Sequence, residues 1–170
     1  WWKEENTFKR HLWPGLNTVE VKSADRPKEI ADQIRVTREI IGKGAGEIHY
    51  SMAGLTKNAN MLPTLKNGLY NEKALMPTTS WLKTAPTSKP ELNVSVLDHE
   101  VVARWNSSKM DNVFQWVLYA QYGTEWEYLI LNKSQLSQGF PQNKNGKVLT
   151  TLAIKAVDRL GNESDYQAKK

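Results

Sequence analysis

The pattern of apolar and polar positions changes character at about residue 85. Before this point, an apolar stripe at helical spacing lies between two short apolar runs. After it, apolar and polar residues alternate with a period of two, as in strands. The stripe consists of Ile30, Ile34, Thr37 and Ile41, which lie on one face of a helix. The pattern predicts an α/β domain over residues 1–85 and an all-β domain over residues 86–170.

Two short strands are predicted to flank the helix of the first domain. The first lies within the candidate segment 8–16 and is expected to end at Pro14, because proline lacks the amide donor that a strand ladder needs. The second covers residues 47–52. A helix between two short strands is typical of a β-α-β crossover, so we expect the strands to be parallel. A weaker helix, interrupted at Pro63, is predicted over residues 55–69.

Two parallel strands and two helices are too few to cover both faces of a parallel sheet. We therefore expect residues 1–85 to be the last two βα units of a larger domain, and the chain to be a C-terminal fragment. A TIM-type barrel and a doubly wound sheet both fit the local pattern. The truncated edges of such a domain predict self-association.

The second domain shows about seven short strands separated by turn residues. This pattern predicts an immunoglobulin-like β-sandwich, and the absence of cysteine favours the fibronectin type III variety. Residues 84–90 contain two prolines and small polar residues, which is typical of a linker. The predicted strands cover residues 92–96, 101–105, 113–122, 126–131 and 148–157, with a last short one near Tyr166.

The composition argues against several classes of function. The net charge is +5, but Lys and Arg are scattered among acidic residues, whereas nucleic-acid binding needs them on one face. No apolar run approaches the roughly 20 residues that span a bilayer. The chain has no cysteine, and its three histidines lack the spacing of metal motifs. We expect no metal, no cofactor and no nucleic-acid partner.

Several short segments of the first domain resemble the end of the glycosyl hydrolase-like family 10. They are His11–Asn17, Gly46–Ser51, Ala74–Pro77 and Trp81–Leu82. The resemblance covers most of residues 8–82 and implies a bacterial protein with a TIM-type barrel. In that comparison residues 10–16 form the seventh barrel strand and residues 46–51 the last. The resemblance also implies an exported protein, either periplasmic, a cell-surface lipoprotein or extracellular, whose signal lies outside these residues.

The second domain has a resemblance of its own. Ala153–Ser164 is similar to the late strand and turn of fibronectin type III domains, and Trp105 resembles their early core tryptophan. Leu152 stands where a tyrosine is common in that late strand. The corner hydrogen bond of that tyrosine is therefore expected to be absent.

The first domain lacks the acids of a glycosidase. Such an enzyme needs two carboxylates, which in a barrel project from the carboxyl ends of strands. The first predicted strand has none. Glu47 lies at the start of the second, where we expect a surface residue or a hydrogen-bonded residue at the strand entrance. No catalytic residue is therefore predicted in this chain.

Four residues are predicted to contact substrate: His11, Trp13, Tyr50 and Ser51. Aromatic rings pack against the apolar faces of sugars, and their polar edges form hydrogen bonds. The alternative is that Trp13 plugs one end of the barrel and His11 is a core residue. In the sandwich, Trp105, Trp116 and Trp126 form either a carbohydrate-binding face or part of the core.

These observations lead to one main functional hypothesis and one alternative. The parent protein is expected to be a glycoside hydrolase that acts on a bacterial or environmental polysaccharide. This chain would supply a cleft wall and an accessory sandwich, and would be inactive alone. The alternative is a non-catalytic carbohydrate-binding, cell-surface adhesion or spacer protein.

Overall fold

The computed structural model of the chain describes residues 1–21, 24–82, 84–98 and 100–170. His99, one of the three histidines considered for a metal site, lies outside these residues. The described residues form two compact units, Trp1–Pro77 and Thr78–Lys170, called here the α/β unit and the sandwich.

The two units meet in sequence at residues 77 and 78, before the predicted boundary at 85 and 86. The segment that follows Pro77 belongs to the sandwich because it is hydrogen-bonded there. Thr79 donates both its backbone N–H and its hydroxyl to the carbonyl of Leu160, at 2.8 and 2.9 Å. Thr78 likewise donates its hydroxyl to the carbonyl of Gly161 at 3.0 Å.

The α/β unit contains a parallel pair of short strands and the helices around it. In chain order, the elements are α1 Trp2–Glu5, β1 Gly15–Asn17, α2 Arg26–Ile41, β2 Ile48–Tyr50, α3 Met52–Lys57 and α4 Met61–Lys66. Strands β1 and β2 are parallel, as the β-α-β pattern predicts, and Leu16 pairs with His49.

Helix α2 forms where the sequence predicts it. The Asp25 carboxylate accepts the N–H of Lys28 at 3.3 Å, and Pro27 occupies the first turn, where its missing N–H costs nothing. Ile30 and Ile34 are fully buried. They form the core of the unit with Leu16, Met61 and Leu65.

The predicted position of the first strand is wrong. Residues 8–14 are not part of a strand, and β1 begins at Gly15, directly after the predicted end. Pro14 has no N–H to donate, but its carbonyl accepts the N–H of Ile48 at 3.0 Å. The Pro14–Gly15 pair is therefore the entrance to the strand. This places His11 and Trp13 before the amino end of β1.

The predicted helix over residues 55–69 is instead two short helices, α3 and α4. The break falls at Asn58–Asn60, where the Asn58 side chain accepts the N–H of Asn60 at 3.0 Å. Pro63 lies in the first turn of α4, a position that tolerates proline. The closed barrel implied by the resemblance is not seen, because the described residues of the α/β unit contain only these two strands.

The second unit is a β-sandwich, as predicted. Its strands are β3 Glu91–Leu97, β4 Glu100–Asn106, β5 Gln115–Tyr122, β6 Glu125–Asn132, β7 Ser137–Pro141, β8 Asn143–Lys144, β9 Lys147–Val157 and β10 Gln167–Lys169. One sheet has the order β3-β4-β7, and the larger sheet has the order β10-β9-β5-β6 with β8 beside β9. Strand β7 was not predicted, because its sequence Ser-Gln-Gly-Phe-Pro contains one large apolar residue.

The sandwich core shows which tryptophans are buried and which could form an exposed face. Trp105 and Trp116 are 3% and 0% exposed, and their rings meet edge to face with centroids 6.4 Å apart. Both belong to the core. Leu152 is also buried there, so the position where a tyrosine is common is filled by an aliphatic side chain. Trp126 is 54% exposed and lies outside this core.

Candidate functional site

The four residues predicted to contact substrate fall into two pairs at opposite ends of the strand pair. His11 and Trp13 precede the amino end of β1, whereas Tyr50 and Ser51 lie at the carboxyl end of β2. The expectation that all four line one end of a barrel rested on a first strand over residues 10–16. Because β1 begins at Gly15, that expectation of a shared end is wrong.

His11 and Trp13 form a stacked pair. Their ring centroids are 5.3 Å apart and the ring planes are inclined by 18°. The Trp13 indole donates its N–H to the carbonyl of Gly44 at 3.2 Å. A side chain at Gly46 would lie only 2.8 Å from the Trp13 ring, so this glycine allows the indole to pack closely. The Gly-rich segment before β2 therefore holds the indole in place.

An open groove of about 500 Å³ borders this pair, and His11 and Gly44 line it. Three lysines, Lys3, Lys9 and Lys43, also line the groove. Lys43 is distant in sequence from Lys3 and Lys9, and the fold brings it beside them. The groove therefore has a cationic border beside a stacked aromatic pair.

Tyr50 occupies the last ladder position of β2, across from Asn17, and Ser51 follows it. The Tyr50 side chain is 69% exposed, and the Tyr50–Ser51 peptide bond is cis. The backbone here is held from β1, since the Thr18 hydroxyl donates to the carbonyls of Tyr50 and Ser51 at 3.1 and 3.3 Å. Thr18 itself is fully buried. The carboxyl end of the strand pair is therefore well ordered and presents an accessible phenol.

A partly buried polar cluster, made of Arg38, Glu47, His49 and Tyr70, lies on the helix side of the sheet. The Glu47 side chain is 4% exposed. Its Oε1 accepts from the Tyr70 hydroxyl at 2.6 Å and from the Arg38 guanidinium at 2.9 Å. His49 Nε2 lies 2.8 Å from the same hydroxyl. One phenol thus links a carboxylate and an imidazole.

The electrostatics of this cluster follow from its burial. Burial and the hydrogen bond to Glu47 raise the pKa of Tyr70 well above its usual value. Burial lowers the pKa of His49, while the negative charge of Glu47 acts in the opposite direction. The Arg38 guanidinium lies 5.4 Å from the centre of the Tyr70 ring and also donates to the Leu69 carbonyl at 3.2 Å. The tyrosine therefore stays neutral and donates to the carboxylate.

The cluster has two buried polar atoms without a hydrogen-bond partner, Glu47 Oε2 and His49 Nδ1. Such orphan atoms are costly in a protein interior. The sequence offered one sign of this site, since Glu47 and His49 are two residues apart on a strand and so share a face. It gave no sign of their partners Arg38 and Tyr70, which come from α2 and from the segment after α4. Of the two alternatives expected for Glu47, a surface residue or a hydrogen-bonded residue at the strand entrance, the structure shows the second.

The described residues contain neither a metal-binding group of acidic and histidine side chains nor a membrane-spanning helix. Across those residues, no group of three or more His, Asp or Glu side chains is placed to hold a metal ion. None of the helices they form is both long and apolar enough to cross a bilayer.

No protein-family model matches the chain. No curated protein matches it either. Among solved structures, the pectate lyase PelI of Erwinia chrysanthemi with tetragalacturonic acid is similar at a TM-score of 0.39 and 11% identity, over 48% of this chain and 28% of that one. The chain therefore spans less than a third of that lyase.

Two further solved structures are similar to this chain. The spore cortex lytic enzyme SleM of Clostridium perfringens matches at a TM-score of 0.39 and 12% identity, over 94% of this chain and 67% of that one. An FN3 domain of human collagen XX matches at 0.38 and 12%, over 56% of this chain and 98% of that one. These neighbours include carbohydrate-acting enzymes and a fibronectin type III domain, but likenesses at this level carry no argument about function.

Proposed function

We propose that this chain is the glycan-contacting end of a glycoside-hydrolase-like protein. Its α/β unit would supply two neighbouring βα units of a TIM-type barrel, and its sandwich would be an accessory domain. In this proposal Tyr50 and Ser51 line the substrate cleft, and His11 and Trp13 contact glycan at the opposite end of the strands. The protein acts on a bacterial or environmental polysaccharide and is exported, as the resemblance to glycosyl hydrolase-like family 10 implies.

The exposed face of the strand pair supports the barrel. Ile48 and Tyr50 alternate with the helix-facing Glu47 and His49, and they are 57% and 69% exposed. Parallel strands are normally covered on both faces. In a barrel, this second face would be covered by side chains from the other strands.

The observation that carries the proposal is the position of Tyr50. It lies at the carboxyl end of a parallel strand, which is where barrel enzymes place their active-site residues. Its ring is accessible, and Thr18 fixes its backbone. An accessible phenol at that position is suited to packing against a sugar ring and donating a hydrogen bond to a hydroxyl.

The chain does not carry the catalytic acids in this proposal. Retaining and inverting glycosidases need two carboxyl groups about 5–10 Å apart at the cleft. Glu47 is the acid nearest to β2, but its side chain is buried on the helix side and is bound by Arg38 and Tyr70. The described residues at the carboxyl ends of the two strands, Asn17, Tyr50 and Ser51, include no acid.

The test combines a binding assay with an activity assay on the 170-residue chain. Affinity electrophoresis against soluble neutral and acidic polysaccharides is expected to show retardation that Tyr50→Ala weakens about tenfold, while Tyr166→Ala, also an exposed tyrosine, has no effect. In the same gels, Trp13→Ala tests whether the amino end of the strand pair also contacts glycan. Single-stranded DNA serves as a polyanion control, because the groove beside His11 has a cationic border.

Two results would contradict the proposal. One is unchanged binding by Tyr50→Ala when its unfolding transition matches that of the unmodified chain. The other is release of reducing ends from any glycan by the purified chain, since that would require catalytic acids within it.

The alternative function is a non-catalytic carbohydrate-binding, adhesion or spacer protein. The exposed Trp126 on the sandwich favours the carbohydrate-binding and adhesion forms of this alternative over a spacer, because a purely structural spacer has no use for an accessible indole. Glycan binding that depends on the sandwich and not on Tyr50 would support this alternative.

A further inference from the structure

The outer face of the larger sheet carries a row of aromatic side chains. The inner face of β5 is fixed by the core, which contains Trp116 and Leu118. Alternation then places Val117, Tyr119 and Gln121 on the outer face. In β6, Tyr128 pairs with Tyr119, and Trp126 pairs with Gln121. Two tyrosines therefore lie directly opposite each other on adjacent strands, and a tryptophan follows along β6.

Two members of this aromatic row, defined as Trp126, Tyr128 and Tyr119, are accessible, and Tyr119 is partly buried. Trp126 is 54% exposed and Tyr128 is 39% exposed. Side chains directly opposite on neighbouring strands are about 5 Å apart, and those two residues apart on one strand are about 7 Å apart. The three rings thus form one contiguous patch, long enough to contact more than one sugar ring.

Charge is nearly absent from this face. The acids of β6, Glu125 and Glu127, lie opposite the inner-face residues Tyr122 and Ala120 of β5, so they are on the inner side of the sheet. Each also forms an ion pair with a lysine. Outer-face neighbours of the aromatic row are Gln121, Thr151 and Ala153. The charged pair next to Tyr119 is Lys155–Glu163, whose atoms lie 3.0 Å apart and neutralise each other. One amide, that of Gln121, and one hydroxyl, that of Thr151, therefore border the row near Trp126.

The size of the patch argues against a protein partner. A large aromatic side chain contributes roughly 150–250 Å² when fully accessible, so these partly exposed rings offer on the order of 200–300 Å². A stable protein interface needs about 800 Å² on each side. A few rings bordered by hydrogen-bonding groups are instead suited to a ligand with apolar ring faces and many hydroxyls.

We infer that the aromatic row is a binding site for an uncharged polysaccharide, in which the rings pack against sugar faces and Gln121 and Thr151 reach the hydroxyls. The inference shares its ligand class with the function proposed above and rests on it to that extent. It uses different side chains, in the other unit of the chain. A glycan held here would keep the protein on its substrate while the α/β unit meets it elsewhere.

The experiment is affinity electrophoresis of the full 170-residue chain against neutral soluble polysaccharides, namely β-glucan, xyloglucan and galactomannan. Trp126→Thr and Tyr128→Thr each replace a ring by a residue that favours strands. We expect each to weaken binding about tenfold, and Trp126→Phe to retain most of it. Tyr166→Thr, an exposed aromatic outside the row, is the matched control.

A second measurement does not depend on whether the variants fold. In a titration of the labelled, unmodified chain, the indole N–H resonance of Trp126 is expected to shift as glycan is added. An unmoved Trp126 resonance at saturating glycan overturns the inference, as does the absence of binding to every neutral polysaccharide.

The two proposals fail separately. Binding lost in Tyr50→Ala but unchanged in Trp126→Thr and Tyr128→Thr overturns the aromatic-row site and leaves the proposed function standing. Binding lost in the Trp126 and Tyr128 variants but unchanged in Tyr50→Ala supports the aromatic row and contradicts the role proposed for Tyr50.

Discussion

The Tyr70 hydroxyl donates a 2.6 Å hydrogen bond to the buried Glu47 carboxylate. This contact joins the segment after α4 to the entrance of β2. A buried carboxylate is stable only when hydrogen bonds and opposite charge replace the water it has lost. Tyr70 and Arg38 supply these at one oxygen of Glu47, and the other oxygen has no partner.

Tyr70→Phe is therefore expected to destabilise the α/β unit. The substitution keeps the ring and removes one of the two donors to Glu47, and leaving a buried charged group under-bonded costs about 1–3 kcal/mol. Urea unfolding followed by far-UV circular dichroism measures the loss. The control is Tyr166→Phe, which removes the hydroxyl of a tyrosine that is 61% exposed. Equal midpoints for the two variants would show that the Tyr70–Glu47 bond contributes nothing.

Arg38→Met tests the charge of the same cluster. Removing one partner of a buried pair leaves an uncompensated charge, but Arg38 is 39% exposed and water screens part of the effect. We expect a loss of about 1–2 kcal/mol in the free energy of unfolding, after allowance for this screening. Adding Glu47→Gln should restore part of it, because the unpaired charge is then gone. A double variant less stable than Arg38→Met would contradict this account.

The stability of the α/β unit is expected to fall in weakly acidic solution because of His49. Burial lowers the pKa of His49 below its ordinary value of 6.5, and the negative charge of Glu47 opposes this shift. The Tyr70 hydroxyl lies 2.8 Å from His49 Nε2. Between the folded and unfolded pKa values, the unfolded chain binds the proton more readily. The contribution of neutral His49 to the free energy of unfolding is therefore fully present above pH 6.5. It is lost as the pH falls through 6.5 toward the pKa of His49 in the folded chain.

His49→Gln removes this titrating group and keeps a side chain that can meet the Tyr70 hydroxyl. The measurement is urea unfolding at about pH 7.5 and about pH 5.5, on either side of the ordinary histidine pKa. The unmodified chain should lose more stability between the two values than the variant does. An identical loss would mean that His49 does not couple to folding.

Local sequence pattern was sufficient for the elements that depend on near neighbours. The capping carboxylate of Asp25 and the apolar spacing of Ile30 and Ile34 define α2 within one stretch of chain, and α2 forms as predicted. The alternation over residues 113–122 likewise predicted the strand that forms as β5. Each of these signals is read over a few residues, so no distant contact is needed.

The remainder depends on contacts that a local pattern does not contain. Strand β1 starts after Pro14 because the Pro14 carbonyl accepts the N–H of Ile48, which lies in a distant segment. The predicted strand therefore lay too early in the chain. Strand β7 has one large apolar residue, Phe140, and is a strand because β4 pairs with it. The polar cluster around Glu47 joins residues from three segments of the chain. Only Glu47 and His49, two residues apart on one strand, could be related to each other from the sequence.

Gly54→Ala is expected to destabilise the α/β unit strongly. A Cβ atom at this position would lie 2.2 Å from the Thr18 hydroxyl and 2.7 Å from the Thr18 backbone carbon, and backbone does not move aside cheaply. Overpacking of this kind costs about 1–3 kcal/mol. Gly15→Ala is the control, since nothing lies within 4 Å of its added methyl group. Thermal unfolding should separate the two, and similar melting temperatures would contradict the close approach of α3 to Thr18.

The exposed face of the strand pair leads to the last prediction, that the chain self-associates. Ile48, Tyr50 and Met52 are each more than half exposed in one short stretch. Apolar surface of this kind, beside unpaired strand edges, is a ready site for pairing with another chain. Sedimentation velocity over a wide concentration range should show species larger than the monomer at high concentration.

Ile48→Lys should shift that distribution toward the monomer, because it places a charge in the centre of the apolar face. Val96→Lys is the matched control, as Val96 is 62% exposed but lies on β3 of the sandwich. If both lysine variants reduced self-association equally, the added net charge would be the cause, and the exposed strand face would not be the site of association. A chain that stays monomeric at the highest concentration would contradict the prediction and weaken the case that other strands cover this face in the parent protein.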